Sequence, residues 1–212
     1  MKIIIFGASG KTGALLVQQA LDANHHVTAY VRRASSISIE HPELEVVAGN
    51  LNDTKKLKEV ISEADACIST LGGSSLTRRT PEIVDGIANI VEVMEQVGTK
   101  RFIYMSSIGA GESRFLMAQP IRFLIVSLFL RVPLADHNAN EKRIADSKLN
   151  WTFVRPGGLT DGALADNLKF GSDITPITIT GNRSISRVSV ASFILKQIST
   201  ENLFRKAVWL YE

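Results

Sequence analysis

Gly7, Gly10 and Gly13 recur at every third position in Gly7-Ala8-Ser9-Gly10-Lys11-Thr12-Gly13, and this spacing has a clear chemical use. A phosphate group needs unpaired N–H donors, and the first turn of a helix supplies them together with the positive end of its dipole. Gly7 and Gly10 would let the backbone turn tightly and approach a pyrophosphate. Gly13 would let the following helix pack close on the preceding strand. The flanks agree with this, because Met1 to Phe6 reads as a short buried strand and Ala14, Leu15, Val17 and Leu21 follow at helical spacing. A glycine turn so placed reads as a nucleotide site. Gly10-Lys11-Thr12 looks like the close of a P-loop, but that motif needs a glycine where Ile5 stands, so a kinase or NTPase reading is set aside.

The next residues with chemical meaning lie at the end of a second strand, His26 to Arg32. In a dinucleotide fold the residue about 20 positions past the glycine turn meets the adenosine ribose. An acid there accepts the 2′-hydroxyl of NAD, whereas arginine accommodates the 2′-phosphate of NADP. Arg32 and Arg33 occupy that place with no acid before Glu40, so NADP (NADPH) is expected over NAD, with Arg32 as the main phosphate ligand. Asn50 is placed to bond an adenine edge, with Leu51 on its face, although turn chemistry in Gly49-Asn50-Leu51-Asn52-Asp53 explains the same residues. Gly72 and Gly73 close a strand from Ala64 to Leu71 and would let a ligand lie against the backbone.

These residues need a frame. Further strands are expected at Leu44 to Ala48, Arg101 to Met105, Trp151 to Arg155, Ile174 to Thr180 and Ala207 to Tyr211. Helices are expected from about Thr54 to Ser62, from Pro81 to Gly98, from a cap at Asp136 to about Ser147, and from about Val190 to Ile198. Strands alternating with helices predict an α/β fold with a doubly wound parallel sheet, a Rossmann fold, in a single domain over 1–212. Its substrate-side segments would fall at about 107–137 and 156–187.

Composition narrows the partners. With 24 basic and 21 acidic residues the net charge is +3, too mild to imply nucleic acid or a membrane surface. The single cysteine, Cys67, lies between Ala66 and Ile68 in a strand pattern and is expected in the core. No disulfide is possible within the chain, and only Lys2 precedes the apolar run that enters the glycine turn, which reads as a strand and not a signal peptide; a cytoplasmic location is expected. His25, His26 and His41 lack metal-ligand spacing, so no metal is expected. The apolar stretch from Phe115 to Leu134 is interrupted by Pro120, Arg122, Arg131 and Pro133 and is too broken for a membrane span. An amphipathic helix over the active site, or a subunit contact in a homodimer, suits it better.

Gly-x-x-Gly-x-x-Gly after the first strand, Ser106-Ser107-Ile108-Gly109 after the fifth and Arg155-Pro156-Gly157-Gly158 after the sixth resemble the atypical short-chain dehydrogenases. The likeness is strongest to the NmrA-like group that includes flavin reductase/biliverdin-IXβ reductase, and with Ile185-Ser186-Arg187-Val188 it covers nearly the whole chain. The resemblance implies that Gly7, Ser9, Gly10, Lys11 and Thr12 hold the pyrophosphate and ribose, Arg32 the 2′-phosphate, and Asn50 and Leu51 the adenine. Leu71, Gly72 and Gly73 would lie under the ribose, with Met105 and Pro156 nearer the nicotinamide. It further implies active-site roles for Ser107 and for His137, the latter within an Asp136-His137 pair. Gly158 stands where flavin reductase carries a further histidine, which counts against tetrapyrrole reduction more than against flavin reduction.

Typical members of the superfamily protonate the product alkoxide through a tyrosine whose pKa is lowered by a lysine four residues later. Tyr30, Tyr104 and Tyr211 have no such lysine, which disfavours ordinary carbonyl reduction. Hydride transfer to a flat conjugated acceptor such as flavin or quinone asks less, because the charge is delocalised and can be protonated from water. The expected function is therefore an NADPH-dependent oxidoreductase for such an acceptor. A non-catalytic NADP-binding redox sensor of the NmrA-like type is the alternative. A nucleotide-sugar epimerase would need the missing tyrosine and a larger substrate portion than the stretch after Gly158 offers.

Overall fold

The computed structural model describes residues 1–73, 77–116, 130–172 and 183–212. Strand β1 (Lys2–Phe6) forms its centre, because Ile3, Ile4, Ile5 and Phe6 are all buried to 1% exposure or less. Ile3 and Ile5 enter one core and Ile4 and Phe6 the other, the alternation required of a strand covered on both faces. A charge at Ile4 would be stranded between sheet and helices and would cost the fold several kcal/mol.

Strand β1 pairs in parallel with β2 (His26–Val31) and β4 (Ala66–Ser69). Outward from these lie β3 (Leu44–Ala48) on one side and β5 (Arg101–Met105), β6 (Asn150–Pro156) and β10 (Lys206–Tyr211) on the other, all parallel. The short strand β8 (Lys169–Gly171) closes that edge antiparallel to β10, giving the order β3-β2-β1-β4-β5-β6-β10-β8. Strands β7 (Gly158–Thr160) and β9 (Ser184–Ser186) form a separate two-stranded parallel ladder. The strand order reverses between β1 and β4, so the crevice at their carboxyl ends is where this topology holds ligands.

Helices α1 (Lys11–Asp22) and α5 (Arg187–Lys196) cover one face, and α2 (Thr54–Ile61), α3 (Pro81–Val97) and α4 (Arg131–Ala145) cover the other. Their ends follow capping rules. Asp53 accepts the Lys56 amide at the start of α2 and Ser186 accepts the Ser189 amide at the start of α5. Pro81 opens α3 and Gly98, at φ +86°, closes it. Arg101, buried without a carboxylate partner, donates to the carbonyls of Gln197 and Ile198 and so ties the end of α5 to β5; burial lowers its pKa to about 10.

Two expectations need correction. Asp136 does not cap α4, which begins five residues earlier at Arg131. Pro133 is the third residue of α4, a first-turn position in which proline is tolerated. Strand β4 is also shorter than the sequence suggests, ending at Ser69, so that Leu71 to Gly73 leave the sheet. The strand expected at Ile174 to Thr180 and most of the stretch from Phe115 to Leu134 lie outside the described residues. Cys67 is fully buried, and burial drives its thiol pKa up. Among the described residues no helix is long and apolar enough to cross a membrane. Among them, too, no cluster of His, Cys, Asp and Glu is placed to hold a metal ion.

Candidate dinucleotide cleft and active site

The glycine turn runs from β1 into α1. Gly7 has φ +83°, and its carbonyl accepts the Gly10 amide at 2.9 Å. A Cβ on Gly7 would lie 2.8 Å from Thr70 Oγ1 and 3.0 Å from the Leu71 nitrogen, and a Cβ on Gly13 would collide with the Gly7 carbonyl oxygen. Both glycines are therefore fixed by close backbone approach. Gly10 is the N-cap of α1 and makes no side-chain capping bond. Where α2 and α5 satisfy their first amides with Asp53 and Ser186, α1 leaves its own to the crevice.

That crevice is a cavity of about 620 Å³. Gly7, Ser9, Gly10, Arg32, Asn50, Leu51, Leu71 and Gly72 line it, together with Tyr30, Thr80, Glu82 and Ile83. The residues present thus fit a dinucleotide: an uncapped helix start for the pyrophosphate, an exposed arginine at the end of β2, and an amide beside an apolar face. Arg33 does not line the cavity; its carbonyl accepts the Ser36 hydroxyl at 2.6 Å in the turn that follows.

Other expected ligands sit differently. Thr12 and Gly13 are buried beneath the turn, and Lys11 pairs with Asp161 at 3.1 Å, neither of them lining the cavity. Arg187, at the start of α5, meets the other oxygen of Asp161 at 2.6 Å. The bond from Lys11 holds the Asp161 carboxyl below the usual carboxylate range, with Arg187 adding to the effect. Gly73 packs toward the Thr80 hydroxyl, and Met105 packs on the core under α1 and α5. Pro156 is buried at the end of β6, its carbonyl accepting the Ile108 amide at 3.0 Å. None of these last three lines the 620 Å³ cavity.

Several supporting residues carried no signal in the sequence. Tyr30 donates to the Asn50 carbonyl at 3.0 Å, and burial, with Asp53 adding to it, raises its pKa to about 12. Asn89 of α3 donates to the Leu51 carbonyl at 3.0 Å, and Gly86 leaves room for the Leu51 side chain, whose Cδ1 would lie 2.5 Å from a Cβ there. Asn50 Oδ1 accepts the Asn52 amide, so part of the turn chemistry anticipated for this residue is present.

Ser107 and His137, the residues expected to act at the acceptor, follow β5 and sit on α4 respectively, and neither lines the 620 Å³ cavity. Ser107 is half-buried and donates to the Ile108 carbonyl at 3.1 Å, while the hydroxyl of its neighbour Ser106 is buried without a partner. The ring of His137 reaches β5, with Nδ1 2.9 Å from the Tyr104 hydroxyl, and Asn140 donates to that hydroxyl at 2.8 Å. Asp136 does not pair with His137. Its buried carboxylate accepts Arg79 Nε at 2.6 Å and the Thr80 amide at 2.8 Å, joining α4 to the start of α3. Burial lowers the His137 pKa, against the opposing pull of Glu141 and Asp136, which favours the neutral ring. Burial also pushes the Tyr104 hydroxyl up.

Arg155, expected only as part of a motif, has a structural role. It makes a two-pronged bond to Glu141 at 2.9 and 2.7 Å and a third to Glu112 at 2.9 Å, fixing α4 on β6.

An open crevice at the β1/β4 switch point, with a glycine-cradled helix start, defines a Rossmann-type dinucleotide-binding fold. The NAD(P)H-binding family profile matches residues 7–201, and the chain belongs to that family. An uncharacterized chloroplastic protein of Arabidopsis thaliana is 30% identical over 98% of this chain and 75% of its own length. Among solved structures, the anaerobilin reductase ChuY from Escherichia coli O157:H7 superposes with a TM-score of 0.80 at 22% identity, covering 100% of this chain and 97% of that one. A short-chain dehydrogenase/reductase from Veillonella parvula in complex with NADP gives 0.83 at 19% identity, covering 100% and 94%. At these identities the two structures establish the fold alone.

Proposed function

We propose that the protein is an NADPH-dependent oxidoreductase that passes hydride to a flat conjugated acceptor such as free flavin or a quinone. The observation that carries this reading is the state of Tyr30, in the crevice wall, and of Tyr104, on β5 beside His137. Tyr30 and Tyr104 have raised pKa values and committed hydroxyls, the reverse of what a proton-donating tyrosine needs. An acceptor that tolerates the incoming electrons until water protonates it avoids that demand.

In this reading Gly7, Ser9, Gly10 and the open amides of α1 bind the pyrophosphate, Arg32 the 2′-phosphate, and Asn50 and Leu51 the adenine. Lys11 exchanges Asp161 for phosphate. Leu71 and Gly72 support the ribose, while Met105 and Pro156 bound the nicotinamide side from below. NADPH supplies the hydride. Ser107 and His137 orient the nicotinamide carboxamide and the acceptor above it.

The test is NADPH oxidation followed optically with flavin and then a small quinone, beside titrations of NADPH and NADH. Ser107→Ala and His137→Ala are each expected to lower turnover about tenfold or more while leaving the NADPH Kd within about twofold, the size of one lost charge-assisted hydrogen bond at the reacting end. Tight NADPH binding with no turnover of any acceptor would replace this reading with that of an NADP-binding sensor.

A further inference from the structure

The hydrogen bonds around Tyr104 decide which atom of His137 carries a proton. Asn140 Nδ2 lies 2.8 Å from the Tyr104 oxygen and His137 Nδ1 lies 2.9 Å from it. An amide nitrogen can only donate, so the phenol oxygen accepts from Asn140. The phenol has a single hydrogen, and the remaining partner for it is His137 Nδ1. A nitrogen that accepts this bond cannot hold a proton itself. Were the phenol to accept from both neighbours, its own hydrogen would have no partner among the described residues, so the arrangement that satisfies it has a neutral ring with the hydrogen on Nε2.

We propose that Tyr104 and Asn140 are positioning residues that lock His137 as the Nε2–H tautomer, so that the side of the ring left for the ligand is a fixed hydrogen-bond donor. The ligand class this suits has an electron-rich acceptor atom at that point, such as the carbonyl oxygen of a quinone or flavin, where negative charge grows as hydride arrives. This assignment rests on the reductase reading for its substrate, but the lock itself does not.

The geometry also argues against His137 as a proton relay. To replace a proton lost from Nε2, Tyr104 would have to give its own to Nδ1 and remain as a buried phenolate beside Asn140. Tyr104 is 0% exposed, and Asp136 and Glu141 on α4 add negative charge nearby, each already engaged by Arg79 and Arg155 respectively. His137 therefore keeps its hydrogen. The acceptor takes a hydride from NADPH and one proton from water, NADP⁺ leaves, and the two-electron reduction is balanced.

Neutral His137 is accommodated by this arrangement, whereas a ring protonated on Nδ1 is not unless the Asn140 amide turns over. Asn140 Oδ1 is buried without a partner as the amide now stands, and after such a turn it would accept the Tyr104 hydrogen while Nδ2 lost its acceptor. The turned amide would leave both hydrogens of a buried Nδ2 without an acceptor, a rarer arrangement than an under-satisfied carbonyl oxygen, so the orientation seen, and with it the Nε2–H ring, is preferred over a charged ring and over the neutral Nδ1–H ring alike.

Long-range ¹H–¹⁵N correlation spectra of the histidine rings, recorded on the intact protein across pH 5 to 8, test the lock. In the wild type the His137 Nδ1 is expected to be unprotonated and Nε2 protonated at pH 7. In Tyr104→Phe the donor to the neutral ring is gone, so the ring becomes a mixture of tautomers and its pKa rises by about one pH unit. A wild-type ring carrying its proton on Nδ1 overturns the proposal without any variant. So does a Tyr104→Phe protein that folds and leaves the titration unmoved. If the lock is found but no acceptor is reduced, the reductase reading falls and the tautomer assignment stands.

Discussion

The glycine-lined crevice proposed for the cofactor and the network around His137 proposed for the acceptor are built by opposite means. On the cofactor side the shape comes from atoms that are missing: Gly7, Gly10 and Gly13 leave space for backbone and phosphate, and α1 begins without a capping side chain. On the acceptor side the shape comes from side chains that are committed. Tyr104, Asn140 and His137 close one network, Asp136 with Arg79 and Thr80 a second, and Arg155 with Glu141 and Glu112 a third. A site made of backbone tolerates almost no change of residue type. A site made of networks tolerates change at any position whose partners can be satisfied in another way, and this freedom lets one scaffold serve different acceptors.

The sharpest way to break this contrast is Gly13→Val. A Cβ there would strike the Gly7 carbonyl and lie 2.9 Å from the Ala8 Cα, and both are backbone atoms of the turn itself. The variant is expected to lose about 1–3 kcal/mol of stability and all measurable NADPH binding, read by thermal melting and titration. A variant with wild-type melting and affinity would show that the turn is not held by close packing.

Arg32→Ala tests the charged part of the cofactor side. NADPH is expected to bind about 10- to 100-fold more weakly and NADH as before, since the bond lost is one of about 1.5–3 kcal/mol to a charged group. Equal weakening of both dinucleotides would move Arg32 from the 2′-phosphate to a general electrostatic role.

The smallest effect is expected at Asp161→Asn, which frees Lys11 at the start of α1 and Arg187 at the start of α5. Both partners of the Lys11–Asp161 pair are mostly exposed, so NADPH affinity should rise only about two- to threefold at low salt and the gain should vanish at high salt. Weaker binding instead would mean that Asp161 orients Lys11 for phosphate.

How much of this was legible in the sequence follows the same division. The parallel α/β order, the turn at Gly7 to Gly13 and the place of Arg32 were readable because a strand, a glycine turn and a helix are contiguous and their geometry is local. The crevice accordingly contains Gly7, Ser9, Gly10, Arg32, Asn50, Leu51, Leu71 and Gly72 as the sequence suggested. The partners of His137 were not readable. Tyr104 lies 33 positions away and looked like a strand residue, Asn140 drew no reading at all, and Asp136 looked like a cap. The pairing of Lys11 was unreadable for a related reason, since its partner Asp161 is 150 positions distant. Only the fold brings such groups together, and no spacing rule anticipates which of them will meet.

Asp136 gives the crevice a property that neither half has alone. Its carboxylate grips the amide of Thr80, a residue of the cofactor wall, from the helix that also carries His137. It acts as a strut between the two halves. Whatever displaces Thr80 in the crevice would pull on α4 through this carboxylate, so the wall of one cavity and the helix that carries His137 are one mechanical piece.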